Sequence, residues 1–163
     1  MERHLSRSSV STKRVLFATD FSKCAAAALP YALSLARQPD GKLLVVHVVP
    51  IGLPPGGLPV HAWLAVRGQG VREARASMER LEAQLDGVEH ETLVHSGDVC
   101  GEISGIVRSE RIDVMVLGTH GRTGIGKAVF GSVAERLFRH AGCPALTIGP
   151  SVRAEPDGVE ELH

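Results

Sequence analysis

Five short apolar runs punctuate the chain, at residues 15–18, 43–49, 88–94, 114–117 and 145–148. The third is weaker and alternates apolar with polar positions. Runs this apolar predict strands buried on both faces, as in a parallel sheet covered by helices. The stretches between them carry helical spacing. Residues 22–37 hold an alanine run with Leu29, Leu33 and Leu35, and Ser22 is placed to cap their start. Pro30 falls well inside this stretch, so a kink or a split is expected there. Residues 50–59 contain four prolines and three glycines and predict a loop over one end of the sheet. A long helix is expected over 62–85, with Val66, Met78, Leu81 and Leu85 turned inward. The helix over 98–110 is weaker, because Gly101 and Gly105 each cost about 1 kcal/mol relative to alanine. The last helix, 132–140, opens with Ser132 and Glu135 in the S-x-x-E pattern of a capping box. Together these elements predict an α/β fold: a doubly wound five-stranded parallel sheet with helices on both faces. Such sheets bind ligands outside the carboxyl ends of their strands, where the winding direction reverses.

Composition narrows the function classes. The 163 residues fit one domain with loose ends: a flexible basic extension over 1–13, a body over 14–150 and an acidic tail over 151–163. Eighteen basic residues balance eighteen acidic ones, which argues against a whole-surface nucleic-acid binder. Aromatic residues make up only 4%, too few for a ladder of rings that stacks bases. The three cysteines, Cys24, Cys100 and Cys143, show no C-x-x-C spacing. A disulfide scaffold or zinc cluster is therefore not expected, and a reducing, cytoplasmic setting is. The apolar run 43–49 is too short to span a bilayer. The eight histidines include no i, i+4 pair and no H-E-x-x-H, so no metal site is expected.

The chemistry concentrates after the fourth strand. Residues 118–132 hold five of the 18 glycines, with Arg122, Lys127 and no acid. Glycines let backbone N–H groups approach an anion closely, and a helix N-terminus favours phosphate. A phosphate cradle is the reading that follows. Gly121-x4-Gly126-Lys127 comes close to a P-loop, but Ala128 stands where the hydroxyl that holds Mg²⁺ belongs. A G-x-G-x-x-G fingerprint is absent, since Val129 follows where its third glycine would stand. Neither an S-G-G-x-D-S loop nor an H-x-G-H is present.

Gly118-x2-Gly121-x9-Gly131-Ser132 resembles the ATP-binding signature G-x2-G-x9-G-[ST] of the universal stress protein family. The opening 15–22, the second strand 44–48 and the ending 143–148 are similar to that family as well. The resemblance implies strand order 3-2-1-4-5 in an adenine nucleotide alpha hydrolase-like fold. It implies ATP, with Mg²⁺, as ligand, and a homodimer paired through the fifth strand. By position, Ala18, Thr19 and Asp20 match the strand end that faces adenosine, with Asp20 as an acidic contact or simply a helix cap. Val48 matches the residue whose backbone reads the adenine edge, and Leu117, Gly118 and Gly121 the turn at ribose and phosphate. Arg122 matches a phosphate contact, or else a solvated cation. Gly131, Ser132, Val133 and Ala134 match the helix start that receives the terminal phosphates.

The chain departs from the family at Ala134, where a hydroxyl is common, and at Val99-Cys100, a turn expected to lie away from the nucleotide. No catalytic residue is assigned. Turnover needs a group that orients water, and only Asp20 and His120 offer one, so hydrolysis, if any, is expected to be slow. The function expected is an adenine-nucleotide-binding protein of the stress response that touches neither nucleic acid nor membrane. A nucleotide-independent dimeric or holdase-like module stands as its alternative.

Overall fold

The computed structural model describes residues 12–52, 56, 59–119 and 131–149. Nine elements alternate along them: β1 (Arg14–Ala18), α1 (Lys23–Ala36), β2 (Lys42–Pro50), α2 (Val60–Glu82), β3 (Glu89–Gly97), α3 (Val99–Ser109), β4 (Val114–Gly118), α4 (Ser132–His140) and β5 (Ala145–Ile148). All strand pairs are parallel, in the order β3-β2-β1-β4-β5. The expected fold class and strand order are both found.

The central strand β1 is buried on both faces, and this divides the core in two. Val15 and Phe17 pack with Ala25, Ala28 and Ala32 of α1 and with Met78 of α2. Leu16 faces the other way, with Ile103 and Val107 of α3 and Leu137 of α4. Winding reverses between β1 and β4, where Ala18 pairs with Leu117. The carboxyl ends of these two strands therefore lie side by side beneath an opening between the helical layers.

Several local expectations give way. Pro30 does not split α1, which runs unbroken from Lys23 to Ala36. Pro30 sits on the exposed face, while the buried Ala25, Ala28, Leu29, Ala32 and Ala36 hold the helix to the sheet. Its missing N–H therefore leaves a carbonyl that water can reach. Val66 is 64% exposed rather than inward. At 3.6 residues per turn it lies about 120° around α2 from the buried Met78. β3 extends to Gly97, beyond the expected end at Val94, because its ladder with β2 continues to the pair Pro50–Gly97. As an edge strand it buries little on its outer side, so an apolar criterion truncates it.

The capping box at α4 does not form. Gly131, not Ser132, is the N-cap, and no side-chain cap hydrogen bond forms there among the described residues. The chain is extended at Gly131 (φ −68, ψ 152), which makes Ser132 the first helical residue and carries its hydroxyl past the capping position. Most of the expected extension and all of the expected tail lie outside the described residues.

Candidate functional site

A cavity of ≈ 410 Å³ opens at the carboxyl ends of β1, β2 and β4. Ala18, Thr19 and Asp20 enter it from the end of β1, Val48 from β2, and Leu117 and Gly118 from β4. Gly131, Ser132, Val133 and Ala134 close the far side with the first turn of α4. Ten sequence-predicted residues thus share one cavity. Gly121 and Arg122 lie outside the described residues, as do His120 and Lys127.

The β1 end is held by local hydrogen bonds. The Thr19 N–H donates to the carbonyl oxygen of Val46 at 2.9 Å, continuing the sheet one residue past the strand. His47, buried in β2, lies with Nδ1 2.7 Å from the carbonyl oxygen of Thr19. A carbonyl only accepts, so the imidazole carries its proton on Nδ1. The chain then turns sharply. Phe21 takes a left-handed conformation (φ 60), with its N–H donating to Thr19 Oγ1 at 3.0 Å. The Ser22 N–H donates to Asp20 Oδ1 at 3.0 Å, and Ser22 Oγ in turn accepts from the Ala25 N–H at 3.2 Å. The capping role open to Asp20 therefore belongs to Ser22, and Asp20 shapes the turn at the cavity mouth. The Phe21 ring lies 4.5 Å from the His47 ring, tilted by 36°. A positive φ costs energy at a bulky residue, and such strain gathers at functional sites.

The β4 end is fixed by close packing. A Cβ on Gly118 would meet the Cys24 carbonyl carbon at 2.8 Å and the Ala25 nitrogen at 2.9 Å. Only glycine lets β4 end this close to α1. The Gly131 N–H donates to the Thr119 carbonyl oxygen at 2.7 Å, which ties the start of α4 to the residue after β4. The amides of Ser132, Val133 and Ala134 follow in the first turn. Among the described residues, α1 and α3 have side-chain caps, Ser22 and Asp98, whereas α4 has none. α2 also lacks a cap, but its first turn does not border the cavity. An uncapped helix start presents N–H donors and positive dipole to an anion.

Sequence reasoning missed one whole wall. Gly70, Glu73, Ala74 and Ser77 of α2 line the cavity, as do Phe21, His47, Val49 and Pro50. The helical spacing of 70, 73, 74 and 77 was visible, but which face meets the strand ends depends on how α2 packs. Val99, expected away from the site, borders the cavity with Ile103. The reason is geometric: α3 begins directly at the carboxyl edge of the sheet, two residues after β3 ends. Among the described residues that line the cavity, Asp20 and Glu73 carry charge and no Lys or Arg does. Nor do three His, Cys, Asp or Glu side chains gather into a metal-binding group among the described residues. The thiols of Cys100 and Cys143 titrate above the usual range, chiefly because burial disfavours their thiolates. They are packed groups, not activated nucleophiles.

Known proteins resemble this chain along most of its length. A model of the universal stress protein family matches residues 11–149. Universal stress protein MJ0531 of Methanocaldococcus jannaschii is 28% identical over 139 residues, covering 83% of this chain and 81% of that protein. The universal stress protein UspA of Lactobacillus plantarum superposes with a TM-score of 0.76 at 20% identity, over 84% of this chain and 97% of that one. An Arabidopsis thaliana family member solved with AMP bound has a TM-score of 0.54 at 20% identity, over 88% of this chain and 95% of that one. A universal stress protein in complex with cAMP gives 0.53 at 20% identity, over 84% and 96%. The sheet order, the adenine nucleotide alpha hydrolase-like fold and the family match agree: this chain belongs to the universal stress protein family.

Proposed function

We propose that this protein binds ATP in the cavity and acts in the stress response as a nucleotide-responsive protein, with at most slow hydrolysis. One observation carries the proposal: the carboxylate-bearing end of β1 and the uncapped amides of Ser132, Val133 and Ala134 face a single cavity of ≈ 410 Å³. That volume falls within the range of small-molecule sites. β2 and β4 stand two strands apart, about 10 Å, which suits a nucleoside lying across β1 with its phosphates at α4. The related proteins that hold AMP and cAMP support an adenine nucleotide as ligand. Gly121 of the signature and the neighbouring Arg122 are assigned to the same phosphates. Mg²⁺ fits as a companion of the phosphate chain, since it is commonly held by one carboxylate with phosphate oxygens and water. Asp20, at the β1 end, is assigned to the adenosine as its acidic contact.

Dimerisation through β5 belongs to the same proposal. β5 is an edge strand paired only with β4 among the described strands, and its Leu146 is 36% exposed. The three free cysteines support a reducing, cytoplasmic location. No helix among the described residues is long and apolar enough to cross a membrane.

The test is a mass spectrum of the small molecules released when purified protein is denatured, before and after incubation with ATP and Mg²⁺. An adenine nucleotide at near-stoichiometric yield is expected. Its absence after incubation at millimolar ATP would overturn the proposal.

A further inference from the structure

The cavity wall supplied by α2 contains a glycine that the fold does not need. Gly70 sits in the interior of a 23-residue helix and borders the cavity. A Cβ built there would have Val49 Cγ1 as its nearest neighbour, at 3.8 Å, an ordinary contact. Its φ is not in the left-handed region. Packing and backbone geometry would therefore both accept a side chain, yet a glycine inside a helix is less favourable than alanine. What the missing side chain leaves is space in the cavity, between α2 and Val49.

Gly68, two residues earlier, provides the contrast. It lies in the same helix at the same intrinsic cost, but a Cβ there would face Arg72 Nη1 at 3.4 Å, and Gly68 does not line the cavity. Gly70 and Gly68 thus separate room inside the cavity from helix propensity.

The neighbours of Gly70 indicate which part of a ligand uses this space. Val48, Val49 and Ala74 make the surroundings apolar, and the charged group on this wall is the Glu73 carboxylate, which accepts a hydrogen bond from Gln69 Nε2 at 2.8 Å. A carboxylate repels phosphate and accepts from N–H and O–H donors. The phosphate-favouring amides lie at the opposite end, on α4.

We propose that Gly70 sets the width of a slot for the flat heterocycle of the nucleotide, with α2 as one wall and the end of β2 as the other. Gly70 is thereby a specificity-determining residue, and its role rests on the nucleotide reading above. The experiment compares ATP affinity of the wild type, Gly70→Ala, Gly70→Leu and Gly68→Leu by calorimetric titration, with thermal unfolding of each as a check on folding. Gly70→Leu is expected to weaken ATP by more than about tenfold, Gly68→Leu by less than about threefold, and Gly70→Ala to fall between them. All three variants should unfold at or above the wild-type temperature, because each removes a helical glycine. Equal affinity of Gly70→Leu and the wild type overturns the inference while leaving the nucleotide reading in place. Equal loss in Gly70→Leu and Gly68→Leu overturns it too, by showing a general effect of the helix. Failure of the wild type to bind ATP defeats the nucleotide reading itself, and this inference with it.

Discussion

The Gly131 N–H donates to the Thr119 carbonyl oxygen at 2.7 Å, although eleven residues separate them in the chain. Thr119 is itself anchored, because its N–H donates to the Ile148 carbonyl oxygen of β5 at 2.9 Å. The start of α4 is therefore positioned by the sheet, whatever lies between the two residues. This placement brings the first turn of α4 to the cavity.

That arrangement separates two serines that look alike in sequence. Ser22 Oγ accepts from the Ala25 N–H, whereas Ser132 makes no cap hydrogen bond. Ser22→Ala should cost about 1 kcal/mol in urea unfolding, and Ser132→Ala less than about 0.5 kcal/mol. Equal losses would show that Ser132 caps α4 after all.

Gly118 should tolerate no side chain. Gly118→Ala puts a carbon against backbone atoms of α1 at 2.8 and 2.9 Å, so strand and helix must separate. Overpacking of this kind costs about 1–3 kcal/mol. Thermal unfolding of Gly118→Ala should begin several degrees lower, on the order of 2–8 °C. An unchanged midpoint would mean that β4 and α1 are not packed this closely in solution.

Burial raises the titration of Cys100, against a smaller opposing effect of the Arg136 charge. The folded state therefore holds this proton to higher pH than the unfolded state does. Stability is fully present below the unfolded thiol value, about 8.5, and falls as pH rises from there through the folded value. Urea midpoints measured from neutral to alkaline pH should decline less steeply in Cys100→Ala than in the wild type. Parallel declines would remove Cys100 as a source of the alkaline loss.

Much of this architecture can be read along the chain because its strands differ so clearly from their connections. The run 43–49 is apolar at nearly every position, as a strand covered on both faces must be. The alternation in β3 fits the edge position that the sheet gives it, though it concealed the last three residues of the ladder. Asp20, Gly118 and Ser132 were brought together by the family resemblance and by the rule that ligands sit beyond strand ends, and all three line the cavity. The α2 wall was not legible, since Gly70 and Gly68 look identical until packing turns one toward the cavity. Val99 was misplaced because distance along the chain from the glycine segment says little about distance across the sheet. The left-handed turn at Phe21 had no signal, since neither glycine nor asparagine marks it.

The central claim is that the cavity binds ATP through the start of α4. Gly131→Val keeps a backbone conformation open to any residue, yet places a branched side chain beside the amides of Ser132 and Val133. Calorimetric titration of wild type and Gly131→Val with ATP and Mg²⁺ is the most direct test. Saturable one-site binding by the wild type, lost in a variant that still unfolds cooperatively, is the predicted result. No heat of binding to the wild type at millimolar ATP, or undiminished binding by Gly131→Val, would contradict the claim.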